Sequence, residues 1–133
     1  MPSSDPGTRH VPLRVLILVT DLMFQPRIAD ALRALGAEPR VIDSETALTA
    51  ALADAPAAAV IDLHERSLDG LAAVRSASAA GARVLAFGRH TEPALLRAAR
   101  GAGALAVVPR SQLVEELADL LRALLDAPAK DRR

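Results

Sequence analysis

The sequence predicts an α/β domain in which a parallel sheet carries helices on both faces. Short apolar runs alternate with helix-period segments five times, and the clearest of those runs is continuously apolar, as in strands buried on both sides. Glycines and capping residues fall at the junctions between the segments.

The elements follow in order. Met1–Pro12, "MPSSDPGTRHVP", has three prolines and no apolar period, and is expected to be a disordered leader (residues 1–12) before a domain spanning 13–126. Val15–Val19, "VLILV", is the first strand. A helix then runs from about Phe24 through "RIADALRAL", with Pro26 in its first turn and Gly36 past its end. Pro39–Asp43 is a second strand, and Ser44 caps "ETALTAALA", which stops before Pro56. Ala57–Leu63 forms the third strand, and Leu68–Ala80 the third helix, closed by Gly81. Arg83–Phe87 is the fourth strand, followed by "EPALLRAAR" with Thr91 as its cap and Gly101 as its stop. Leu105–Val108 is the fifth strand. Ser111 caps a last helix whose Leu113, Leu117, Leu120, Leu121 and Leu124 make a helical stripe. Residues 127–133 read as a disordered tail.

Composition limits the function. The chain has 133 residues, enough for one domain, and is 51% apolar but only 2% aromatic, with Phe24 and Phe87 alone. Such a core must pack through Leu, Val, Ile and Ala, which favours close helix–sheet contact over a large aromatic-lined pocket. Sixteen basic and sixteen acidic residues cancel, so there is no electrostatic case for nucleic acid or an anionic membrane. The absence of cysteine excludes disulfides and thiolate metal sites. No apolar run approaches a membrane span and no signal-peptide pattern opens the chain, so a cytoplasmic location is expected.

In parallel sheets of this kind, sites form at the carboxyl ends of the strands. The loop after the third strand is the most informative. "VIDLHERSLDGL" (Val60–Leu71) ends a buried strand on Asp62 and places Asp69 and Gly70 seven and eight residues later. With "LRALGAE" at the end of the first helix, "ARGAGA" before the fifth strand and Pro109 after it, the span from about Arg14 to Leu125 resembles a receiver domain of two-component response regulators. The resemblance implies a flavodoxin-like (βα)5 fold with strand order 2-1-3-4-5 and Asp62 at the phosphoacceptor position. It also implies an acidic pair after the first strand, a Ser or Thr after the fourth and a Lys ending the fifth. Those positions fall on Val19–Thr20, Gly88 and Val108, with Asp21 one residue beyond the first and Arg110 two beyond the last. A cis peptide at the Val108–Pro109 step is implied as well.

An aspartate accepts a phosphoryl group only where a cation and positive side chains offset the growing charge. With Thr20, Gly88 and Val108 altered, the expected function is a degenerate, receiver-like signalling or protein-interaction module. Its aspartyl phosphorylation is expected to be impaired or absent. It is not expected to be an enzyme or to need a cofactor. A competent single-domain response regulator is the alternative, with Mg²⁺ on Asp21 and Asp62 and the phosphoryl group on Asp62. A second alternative is a small-anion binder using Arg89, His90 and Arg110. The expected partner is a signalling protein, and with the chain ending at Arg133, output is expected through contact and not through an attached DNA-binding domain. The resemblance also implies a homodimer through the fourth helix, fifth strand and last helix, where Leu95, Leu96 and Val107 lie.

Plainer readings of the same residues stand beside these. Asp62 can cap the turn that follows it, and Asp69-Gly70 can simply start a helix. Glu65 and Arg66 read as a solvated loop. His64 with Asp62 and Asp69 suggests a metal site on composition alone. "DLHERS" also echoes the Asp-x-His-x-x-Gly of cobalamin-binding domains, but follows the third strand and has Ser67 for the glycine. "GAGALA" (Gly101–Ala106) matches dinucleotide-binding letters but precedes a strand, the reverse of what phosphate cradling needs.

Overall fold

A computed structural model describes residues 12–128; the expected leader and tail therefore lie almost wholly outside the described residues. The strands are β1 (Arg14–Leu18), β2 (Glu38–Val41), β3 (Ala58–Asp62), β4 (Arg83–Gly88) and β5 (Ala106–Pro109). The helices are α1 (Gln25–Ala34), α2 (Glu45–Ala53), α3 (Gly70–Ala79), α4 (Pro93–Gly101), α5 (Arg110–Glu115) and α6 (Leu117–Asp126). All strand pairs are parallel, in the order β2-β1-β3-β4-β5. This is the predicted fold class and strand order, with element ends moved by a residue or two.

The alternation of side chains along a strand divides the core in two. Val15, Ile17, Val19, Val60, Leu85, Phe87 and Val108 face one side and pack with Ile28 and Leu32 of α1, Leu113 of α5, and Leu117, Leu121 and Leu124 of α6. Leu16, Leu18, Ala59, Ile61, Val84, Ala86 and Val107 face the other and pack with Leu48, Val74, Ala77 and Ala99 of α2, α3 and α4. Alanines dominate on the second side, and they let the helices lie close to the sheet.

Local chemistry sets the helix ends. The Ser44 hydroxyl accepts the Ala47 amide at 3.1 Å, as a capping serine does. Gly36 and Gly81 follow α1 and α3 with φ of 84° and 93°, a region costly for any other residue. Two expected caps move. Glu92, not Thr91, precedes α4 without a side-chain cap, because Pro93 takes the first helical position, where a ring-fixed φ and a missing N–H cost nothing. Ser111 lies inside α5, which starts at Arg110 directly after the extended Pro109. The last helix is also not continuous: Glu116, at φ −118° and ψ 28°, divides α5 from α6, while Leu113, Leu117, Leu121 and Leu124 all still reach the core.

The Val108–Pro109 bond is trans, as are all described peptide bonds, which corrects the expected cis geometry. Pro109 continues β5 opposite Gly88, and Val108 is anchored in the apolar core, so the ordinary trans preference of about 0.5–1 kcal/mol stands unopposed.

Candidate functional site at the carboxyl edge of the sheet

The loops after β1, β3, β4 and β5 meet around a concavity of about 420 Å³ lined by Thr20, Asp21, Asp62, His64, Arg66, Phe87, Gly88, Arg89 and Arg110. Asp21, Asp62 and Gly88, drawn from three separate loops in the sequence, thus share one site.

Asp21 organises the start of α1. Its Oδ1 accepts the amides of Met23 at 2.8 Å and Phe24 at 3.1 Å, and its Oδ2 accepts Arg110 Nη2 at 2.5 Å. The Met23 amide, then the Arg110 hydrogen bond, hold its carboxyl below the ordinary value of 3.8. The Arg110 guanidinium carbon lies 5.1 Å from the Phe24 ring centroid, within cation–π range. Phe24 in turn meets Phe87 edge to face, with centroids 5.9 Å apart. Gln25 Nε2 donates to the Val19 carbonyl at 2.7 Å, which joins the end of β1 to α1.

Asp62 ends β3 half-buried, and its Oδ1 accepts the His64 amide at 2.8 Å, the turn-capping bond that an aspartate at a strand end can make. Burial has the largest influence on its carboxyl and raises it above 3.8. The His64 amide, His64 and Arg110 oppose that, and Glu65 adds to it. An aspartate whose folded value is raised stabilises the fold below its unfolded value near 3.8, and that contribution is lost as pH climbs through the folded value. At neutral pH the ionised group is therefore a burden. Asp62→Asn keeps the acceptor for the His64 amide without the charge. It is expected to melt higher than the parent at pH 7, with the gain shrinking as pH falls towards 4. A lower melting temperature at pH 7 would contradict that assignment.

The loop after Asp62 corrects one expectation. Arg66 is exposed, but Glu65 is buried, at 8% exposure. Its Oε1 accepts the Thr20 hydroxyl at 2.6 Å and the Arg66 amide at 2.8 Å, while its buried Oε2 has no hydrogen-bond partner among the described residues. β3 is buried on both faces and the chain turns directly after it, with the Glu65 amide donating to the Asp62 carbonyl at 3.1 Å, so no strand period in the sequence marks Glu65 as buried.

His64 bridges two loops. Its Nε2 accepts the Arg89 amide at 3.2 Å and lies 3.5 Å from Glu92 Oε2. A side-chain carbon built at Gly88 would come within 3.4 Å of that nitrogen, so the imidazole covers the space above Gly88. Val108 is buried and apolar, so it brings no charge to the site. Asp69 caps α3 through the Ala72 amide at 3.1 Å and does not line the concavity. Arg89, His90 and Arg110 do meet, around a neighbouring concavity of about 500 Å³ with Thr91, Ser111, Val114 and Glu115. Arg89 is 3.6 Å from Glu92 and Arg110 is paired with Asp21, so both guanidiniums already have carboxylate partners. Among the described residues, no group of three or more His, Cys, Asp or Glu is arranged to hold a metal ion.

No family model and no curated relative matches the chain. Solved structures do. A response-regulator signal receiver domain from Bermanella marisrubri superposes with a TM-score of 0.73 at 21% identity, over 87% of this chain and 100% of that one. The chain has the receiver fold. A response regulator protein from Burkholderia pseudomallei, solved with a phosphorylated aspartic acid, calcium ion and citrate, shares that receiver fold at 19% identity and a TM-score of 0.71, over 86% of this chain and 67% of that one. NtrX from Brucella abortus matches over 87% of this chain at 20% identity and a TM-score of 0.74, and this chain spans 27% of its length. At these identities the likeness is one of fold.

Proposed function

We propose that this receiver-fold domain is a signalling module that works by contact with a partner protein, and that its aspartyl phosphorylation is impaired. The observation that carries this reading is that Asp21 is engaged through both oxygens and Asp62 through one. Asp21 spends one oxygen on two amides and the other on Arg110, and Asp62 spends one on the His64 amide. The Burkholderia response regulator of similar fold was solved with a phosphorylated aspartic acid, a calcium ion and citrate. Here the donor set does not suit such a cation, because hard divalent ions bind through several free oxygen ligands. No step through a metal is therefore assigned to this chain.

Two further features support the reading. Val108 offers no ammonium to incoming phosphoryl oxygens, and Gly88 no hydroxyl that could move to report them. Each missing electrostatic partner is worth about 3 kcal/mol, or on the order of a hundredfold in rate. Leu22 and Met23 stand more than four-fifths exposed beside Asp21, apolar surface better suited to protein contact than to chemistry. A second copy meeting α4, β5 and the last helices is one form the contact can take, through the half-buried Leu95 and Leu96. Val107 and the α6 leucines 117, 121 and 124 are turned inward and contribute little to it.

Incubation with acetyl phosphate and Mg²⁺, read by intact mass, is expected to leave Asp62 essentially unlabelled. Stoichiometric labelling that disappears in Asp62→Asn would overturn this and establish the competent receiver instead.

A further inference from the structure

We propose that Arg110 is a tethered cation, whose guanidinium takes up within the chain the place beside Asp21 and Asp62 that a divalent ion would need. This rests on the reading of impaired phosphorylation and names the residue responsible for it.

Arg110 is the first residue of α5, directly after β5, so its backbone starts at the edge of the site. Two contacts on the β1–α1 side fix its side chain, the 2.5 Å bond from Nη2 to Asp21 Oδ2 and the Phe24 ring beneath the guanidinium. Phe24 is itself buried and braced by Phe87, so the ring is a firm support. The side chain is 41% exposed, yet it lines the same concavity as Asp62. A guanidinium is weakly hydrated and planar, and it reaches a carboxylate without the dehydration that a small divalent ion resists. Being covalently attached, it also has no dilution to overcome. A metal entering the concavity would have to displace Arg110 from Asp21 and then meet its positive charge nearby.

What Arg110 holds back is carboxylate charge. Without it Asp21 Oδ2 loses its partner, while among the described residues Asp62 Oδ2 and the buried Glu65 Oε2 have no hydrogen-bond partner. The pair also ties the β1–α1 loop to the start of α5 across 89 residues of sequence, whatever the metal supply. The module is thereby held in one arrangement that a change in divalent-ion concentration does not alter.

The test is Mn²⁺ binding to the full chain, followed by electron paramagnetic resonance, with folding checked by thermal melting. The parent is expected to show no saturable site up to about 1 mM, the weak end of protein sites for divalent ions. Arg110→Ala and Arg110→Gln are expected to bind Mn²⁺ about tenfold or more tightly than the parent, and Asp21→Asn added to either should abolish the gain. Arg110→Gln retains the stem against Phe24, so it reports even where the alanine variant does not fold. Arg89→Ala removes the same charge from the same concavity and should gain nothing. Arg110 variants that bind no better than a non-binding parent would overturn the tethered cation and leave the impaired-phosphorylation reading standing, as would an equal gain in Arg89→Ala. A parent that already binds Mn²⁺ well below 1 mM would overturn both.

Discussion

Phe87→Ala is expected to lower stability by about 3–5 kcal/mol, a large share of the roughly 5–15 kcal/mol that holds a domain of this size together. Phe87 is 1% exposed and one of two aromatic residues in the chain. In the sheet it lies between Asp62 on β3 and Val108 on β5, and its carbonyl accepts the Leu63 amide at 2.9 Å. Its ring supports Phe24, on which the Arg110 guanidinium rests. Its other neighbours are aliphatic side chains already engaged in their own packing, so little can move in to fill the space. Alanine there would leave a void beneath the site and loosen the start of α1 with it. The effect should appear in denaturant titrations as a lower midpoint at unchanged slope, and a loss below about 1 kcal/mol would show that the ring is not the keystone described.

Gly70→Ala is expected to destabilise by about 1–3 kcal/mol although alanine is the better helix former. The added carbon would lie 2.9 Å from Leu63 Cα and 3.1 Å from the Leu63 carbonyl oxygen. These are backbone atoms of the residue after Asp62, and backbone cannot rotate aside as a side chain does. Helix propensity favours alanine by about 1 kcal/mol in a helix interior and by less at Gly70, the first residue of α3, whereas the overlap forces either α3 or the strand end to shift, and overpacking in such places costs about 1–3 kcal/mol. Gly101→Ala is the matched control: a carbon at Gly101 meets nothing within 4 Å, so there the propensity term should act alone and leave stability equal or higher. If both variants behave alike, the close approach of α3 to β3 has no energetic weight. The same clash would push on the loop that carries Asp62 and His64, so amide shifts at those residues should accompany the loss.

The sequence carried the sheet well because its signals are local. Continuous apolar runs marked the strands, Ser44 marked the start of α2, and Gly36 and Gly81 marked helix ends where the backbone must turn left-handed. Asp69 and Gly70 proved to serve α3 itself, one as its cap and one as the point of close approach. The starts of α4 and α5 follow proline and not the nearby hydroxyls of Thr91 and Ser111, because Pro93 begins α4 and Pro109 ends β5. At the site, the convergence of Asp21, Asp62 and Gly88 followed from strand order. The partners did not. Nothing in the spacing of Asp21 and Arg110 announces an ion pair, and Glu65 reads as loop polarity because a turn separates it from the strand. Pairings made across loops depend on where the backbone brings side chains, which no window of residues contains.

The bond from the Arg89 amide to His64 fixes more than the position of a ring. An Nε2 that accepts an N–H must carry a lone pair, so the neutral imidazole holds its proton on Nδ1, a single tautomer chosen by the β4–α4 loop. A doubly protonated ring would surrender that lone pair and turn its Nε2–H towards the Glu92 carboxylate 3.5 Å away. The loops after β3 and β4 would then stay joined through the same atom with donor and acceptor exchanged, and the β4–α4 loop would be held by its side chain at Glu92 where it had been held by its backbone at Arg89.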